Sequence, residues 1–171
     1  MSSHVSKRFR FRLTSDDAAR LDWLVRHTQF RSKSAAAKHA VDVHAAALNA
    51  LSRGFGLWFE NREAGKREPY TGVSPEDGDA ERRRSTGFLE LRLAPRESET
   101  LAQLMRLNHA ENASTAVRGA LRFTTLAWRR NDKGFRLLAV SRSGESFELL
   151  GAEAISGQPQ EVLNKQFGED Q

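Results

Sequence analysis

The sequence contains no cysteine, so it forms no disulfide and offers no thiolate ligand to a metal ion. No apolar run approaches the ~18 residues that a membrane-spanning helix needs. Residues 1–6 lack the apolar segment of a secretory signal peptide. These absences predict a soluble cytoplasmic protein with no membrane segment.

Sequence patterns of enzymes are also scarce. The five histidines include no HExxH motif and no close pairing with an orienting carboxylate. His39 and His44 are five residues apart, which puts them on different faces of a helix. No phosphate-binding loop or dinucleotide fingerprint is present. We therefore expect no enzymatic activity, no cofactor and no metal site.

Positive charge is in excess. The formal net charge is +5 and the sequence pI is about 10.1, which favours an anionic partner such as nucleic acid or a membrane surface. The excess lies in the first part of the chain: residues 1–40 hold nine lysines and arginines against three aspartates. Residues 87–126 hold five arginines against four glutamates. We expect residues 1–40 to supply most of the electrostatic affinity.

A basic segment at residues 7–13, KRFRFRL, alternates between charged and apolar side chains. Successive side chains of a strand point to opposite faces, so this pattern predicts an amphipathic strand. A solvated edge strand, whose charges only prevent aggregation, is the alternative reading. One face would carry Arg8, Arg10 and Arg12, and the other Phe9, Phe11 and Leu13.

Two helices and a hairpin follow this strand. Apolar residues at helical spacing predict a first helix over residues 16–27. Ser32 is a suitable N-cap for a second helix over residues 33–51, and Gly54 would end it. The small residues on its inner face imply close approach by another helix. Residues 55–70 predict a β-hairpin.

The pattern then returns at an offset of 80 residues, without a gap. Phe9-Arg10-Phe11-Arg12-Leu13 falls on Leu89-Glu90-Leu91-Arg92-Leu93, Ser32 on Asn112, and Gly54 on Gly134. The alternative is a chance match between two amphipathic segments. A tandem repeat predicts units at 1–71 and 87–151, each ending in a hairpin, with a linker at 72–86 and a loose tail at 152–171.

A lone strand in each repeat leaves backbone groups unpaired. We therefore expect the strands at 7–13 and 87–93 to pair antiparallel and to cover four helices with their apolar face. The pairing can form within one chain or between two swapped chains. The predicted fold class is α+β, mostly helical.

Two stretches of the sequence resemble the ribbon-helix-helix family of DNA-binding proteins. The first is Arg10-Phe11-Arg12-Leu13-Thr14 leading to Leu21 and then Arg31-Ser32-Lys33-Ser34. The second is Leu91-Arg92-Leu93-Ala94-Pro95 with Asn112-Ala113-Ser114. The resemblance covers residues 7–51 and 87–131. It implies a tandem form, in which one chain supplies both halves as a pseudo-dimer, or a homodimer of such chains.

The resemblance implies that outward strand residues contact base edges in the major groove of double-stranded DNA. These are Arg8, Arg10 and Arg12 in the first repeat and Phe88, Glu90 and Arg92 in the second. Because the two sets differ, we expect an asymmetric DNA site. The N-termini of the second helices would bind phosphates. The phosphate-contacting set is Lys7, Ser32, Lys33, Ser34, Asn112, Ala113 and Ser114.

The expected function is transcriptional repression by a nucleoid-associated protein. Two alternatives remain open: a DNA-binding accessory protein of the relaxosome or another mobile element, and an antitoxin-like protein-interaction module. In the second alternative, a partner protein would bind the hairpins or the tail, with Trp58, Phe59 and Tyr70 as a candidate patch. The run at residues 82–84, RRR, is either a clamp on flanking DNA or a solvated part of the linker.

Overall fold

The alternating segment near the start forms a strand, and the elements after it repeat once. A computed structural model describes residues 6–72 and 85–150. In this part the chain is α+β, with four helices, two small antiparallel sheets and about half of the residues helical. The expected linker, the tail and the arginine run at residues 82–84 lie largely or wholly outside the described residues.

The two halves have the same order of elements. The first half contains β1 (Lys7–Thr14), α1 (Ser15–His27), α2 (Lys33–Ser52), β2 (Gly56–Asn61) and β3 (Lys66–Pro69). The second contains β4 (Ser85–Leu93), α3 (Pro95–Leu107), α4 (Ala113–Asp132), β5 (Arg136–Val140) and β6 (Ser146–Glu148). Each helix of the second half begins and ends 80 residues after its counterpart.

Local capping explains where the helices begin and end. The Thr14 hydroxyl accepts a hydrogen bond from the Asp17 amide at 3.2 Å, and the Asp17 carboxylate accepts one from the Thr14 amide at 3.0 Å. The first helix therefore begins at Ser15, one residue before the expected start. Ser32 caps α2 as predicted. Gly54, with φ +91°, follows the end of α2 in the left-handed conformation that glycine adopts without strain.

The strands β1 and β4 pair antiparallel within the chain, which confirms the expected pairing. Lys7 pairs with Leu93, Arg10 with Glu90 and Leu13 with Gly87. On the face turned to the helices, Phe11, Leu13, Leu91 and Leu93 are buried. Phe9 and Leu89 were also expected inside but are only half-buried.

The helices pack beneath this ribbon, with α2 against α4. The alanine-rich face of α2 is buried, and the Thr124 hydroxyl on α4 donates to the Ala40 carbonyl at 3.3 Å. A side-chain hydrogen bond to a backbone carbonyl of the facing helix requires the close approach that the small residues predict. Leu21 and Leu24 of α1, and Leu101 and Leu104 of α3, complete the core.

The two hairpins join into one sheet with strand order β3-β2-β5-β6. The sequence predicts one hairpin at the end of each repeat; the structure adds antiparallel pairing of β2 with β5, with Trp58 opposite Leu138. Each hairpin alone has open backbone edges, and pairing satisfies one edge of each. The sheet buries Leu57, Phe59 and Leu137 against the helices.

Candidate nucleic-acid interface

The outward face of the ribbon carries six side chains in three cross-strand pairs. Arg8 lies opposite Arg92, Arg10 opposite Glu90, and Arg12 opposite Phe88. All six residues are exposed, and no helix of the described part covers them. These are the six residues predicted to contact bases: Arg8, Arg10, Arg12, Phe88, Glu90 and Arg92.

Glu90 lies between two of the arginines. Its Oε1 is 3.9 Å from the Arg8 Nε and 3.8 Å from the Arg92 Nε. The two arginine side chains remain 67% exposed and the Glu90 side chain 51%. Such exposed ion pairs contribute at most about 1 kcal/mol in water. The carboxylate therefore lies between the two guanidinium groups without removing them from solvent.

The other end of the face is partly apolar. Phe88 is 52% exposed, which is unusual for a large apolar side chain among the residues that the structure describes. The guanidinium carbon of Arg10 lies 4.0 Å from the centre of its ring, a cation–π contact. Arg10 therefore leans toward Phe88, whereas Glu90, its cross-strand partner, contacts Arg8 and Arg92.

The N-terminus of α2 lies beside the middle of β4. The Ser34 hydroxyl, predicted to contact phosphate, donates to the Glu90 carbonyl at 3.4 Å. Ser32 caps the helix, and the ammonium of Lys33 lies 3.2 Å from the Asp22 carboxylate. The first turn of α2 is thus held next to the ribbon, but these predicted phosphate ligands already have partners within the chain.

The equivalent turn of α4 is capped in the same way. The Asn112 side chain accepts from the Thr115 amide at 2.9 Å, which confirms it as the N-cap. Ala113 and Ser114 are half-buried. Lys7, the remaining predicted phosphate ligand, is exposed at the end of the ribbon.

Two ion pairs that sequence reasoning missed join the repeats next to the ribbon. The Arg118 guanidinium on α4 lies 3.3 Å from the carboxylate of Asp17, whose side chain is 2% exposed, and also donates to the Arg12 carbonyl at 3.2 Å. At the equivalent positions, the Lys38 ammonium lies 3.2 Å from the Glu97 carboxylate. In each repeat an acidic residue lies three positions after the N-cap of the first helix, and a basic residue lies in the second helix. This shared pattern is the sequence signal from which the two ion pairs could have been predicted.

Three titratable groups with shifted pKa values lie on α2, away from the outward face of the ribbon. Burial lowers the pKa of His39 and of His44 to about 4. Burial, and then the nearby Glu97 carboxylate, raise the pKa of Asp42 to about 6. Across residues 6–72 and 85–150, no three histidine or acidic side chains lie together in a way that could hold a metal ion.

The candidate protein-binding patch on the hairpins does not form one exposed surface. Phe59 is 4% exposed and packs toward the helices, where its ring contacts Tyr70 edge to face. Trp58 points to the other face of the sheet and is half-buried, with the Arg67 guanidinium 5.3 Å from its ring centre. Phe59 and Tyr70 therefore pack within the fold, whereas Trp58 stays partly exposed.

Comparison of the chain with protein-family models, with curated proteins and with solved structures gives no match. In the described ranges, none of the helices has the length and apolar character needed to cross a membrane.

Proposed function

We propose that this chain binds double-stranded DNA in a sequence-specific way, as a tandem ribbon-helix-helix protein, and represses transcription. The observation that carries the proposal is the exposed outward face of β1 and β4, which holds four arginines and one glutamate. A two-stranded ribbon fits the major groove of B-DNA, which is about 12 Å wide. Arginine suits guanine, because its guanidinium can bond O6 and N7 together.

The relation between the two repeats supports the same proposal. Arg10 and Glu90 occupy equivalent positions, and they pair with each other. An approximate two-fold axis therefore passes between them, as it would through the ribbon of a dimer. The axis brings α2 and α4 to opposite sides of the ribbon, where their N-terminal amides can face the two DNA backbones.

Binding should depend steeply on salt, because each phosphate neutralised by a cation releases counterions. The test is fluorescence anisotropy of the full chain with labelled duplex DNA over a salt series. We expect a variant in which Arg8, Arg10 and Arg12 are replaced by alanine to lose at least about tenfold in affinity, with a shallower salt slope.

The matched control removes three exposed cations from the hairpins, by replacing Arg62, Lys66 and Arg142 with alanine. It changes the net charge equally, so a general electrostatic attraction would suffer as much as in the ribbon variant. We expect the control to bind nearly as the wild type does. Equal losses in the two variants, or no binding of the wild type at low salt, would contradict the proposal.

A further inference from the structure

The outward face of the ribbon has two chemically different ends. The pseudo-two-fold axis between Arg10 and Glu90 exchanges Arg8 with Phe88, and Arg12 with Arg92. One end therefore presents two guanidinium groups, from Arg8 and Arg92, and the other an aromatic ring and one guanidinium group.

The central pair increases this difference. Glu90 contacts Arg8 and Arg92 at 3.9 and 3.8 Å, whereas Arg10 lies over Phe88 at 4.0 Å. The side chains of Glu90 and Arg10 therefore lie toward opposite ends of the ribbon. Glu90 lies at the end that carries Arg8 and Arg92, and Arg10 lies at the end that carries Phe88.

We infer that Glu90 is a positioning residue that makes this ribbon read a non-palindromic DNA site, an inference that rests on the proposed DNA-binding function. In both ion pairs the arginine atom near Glu90 is Nε, and we assign the terminal amino groups of Arg8 and Arg92 to contacts with base edges. Two guanidinium groups held in this way favour guanines in one half of the site.

The opposite half of the site should be read differently. An exposed Phe88 ring provides apolar contact for the methyl group of thymine. Arg10 cannot leave this end without losing its contact with the ring. The preferred site should therefore be rich in guanine on the side of Arg8 and Arg92 and carry a thymine on the side of Phe88.

Glu90 also sets the balance between specific and general binding. Its carboxylate faces the polyanion, so it weakens binding to any duplex. In the correct site, an orientation of Arg8 and Arg92 that matches guanine offsets this repulsion. Removal of the charge should thus strengthen general binding and weaken discrimination, whereas a folding defect would weaken both.

The experiment is selection of bound duplexes from a randomised pool by the full chain, with the wild type and Glu90→Gln in parallel. For the wild type we expect a non-palindromic site. For Glu90→Gln we expect about a tenfold loss of guanine preference in one half only, and tighter binding to unselected duplex. The control Glu63→Gln removes an equal charge from the exposed turn between β2 and β3 and should change neither quantity.

A second variant tests the asymmetry by restoring the equivalent residue. Phe88→Arg gives the second repeat the side chain that Arg8 provides in the first, so the two halves of the selected site should become alike at that position. A palindromic wild-type site overturns the inference but leaves DNA binding intact. An unchanged profile for Glu90→Gln overturns the positioning role. A pool without any enrichment overturns the proposed function as well.

Discussion

Acidification should destabilise this fold through His39. The imidazole is buried on α2, where its Nε2 accepts a hydrogen bond from the Trp128 indole at 3.1 Å and its ring lies 4.5 Å from that of Phe30. A protonated ring could not accept that bond. Burial accordingly lowers the pKa of His39 from 6.5 to about 4.

The sign and size of the effect follow from these values. Below pH 6.5 His39 is protonated in the unfolded chain, whereas in the folded chain it stays neutral down to about pH 4. The free energy of unfolding therefore falls as the pH is lowered from 6.5 to 4. At pH 5 one such histidine lowers the free energy of unfolding by about 2 kcal/mol, and His44 should add a similar loss. Asp42 acts in the opposite sense, because its folded pKa is raised from 3.8 to about 6. At pH 5 the protonation of Asp42 raises the free energy of unfolding by about 1 kcal/mol and so offsets part of the loss.

The assay is urea unfolding followed by circular dichroism at pH 7 and pH 5. We expect the wild type to lose about 3 kcal/mol between them. His39→Gln keeps an acceptor for the Trp128 indole but does not titrate, so its loss should be about 2 kcal/mol smaller. As a control, His109→Asn replaces an exposed histidine at φ 49°, a conformation that asparagine tolerates. Between pH 7 and pH 5, His109→Asn should lose as much free energy of unfolding as the wild type does. Equal stability of the wild type at both pH values, or an unchanged loss in His39→Gln, would refute the reasoning.

Three further outcomes are expected. Arg10→Ala should lower DNA affinity at low salt more than Arg92→Ala does, because Glu90 partly balances the charge of Arg92. Equal losses of affinity in a salt titration would contradict the expectation that the first repeat supplies most of the electrostatic affinity. Ala94→Ser should raise the free energy of unfolding by about 1 kcal/mol, since Ala94 is an N-cap without a capping side chain, whereas its counterpart Thr14 has one. Leu104→Ala, at a fully buried position, should lower it by about 2–5 kcal/mol in urea unfolding, and a loss below 1 kcal/mol would show that the site is not packed.

Much of the local structure can be read from the sequence, because its causes are local. Alternation at residues 7–13 predicts the strand and its two faces, since the side-chain period of a strand is two. Ser32 and Asn112 mark the starts of α2 and α4, because a side-chain oxygen can satisfy amides that a helix leaves open. The offset of 80 residues predicts the second set of elements from the first. These inferences need only the chemistry of near neighbours.

Other features depend on contacts between distant segments and have no comparable signal. The sequence of neither hairpin indicates that β2 pairs with β5, because the backbone groups at any strand edge can pair. Likewise, Phe59 is buried and Trp58 half-exposed only because the joined sheet has one face against the helices.

The sequence by itself determined that two similar units exist and that arginines line one side of the first strand. Only the tertiary structure decided the register, in which Arg10 meets Glu90 and Arg8 meets Arg92. A shift by two residues would keep every apolar side chain on its face, so alternation leaves the partners undefined. Packing of the ribbon on four helices selects one register, and that register brings the Glu90 carboxylate between two guanidinium groups.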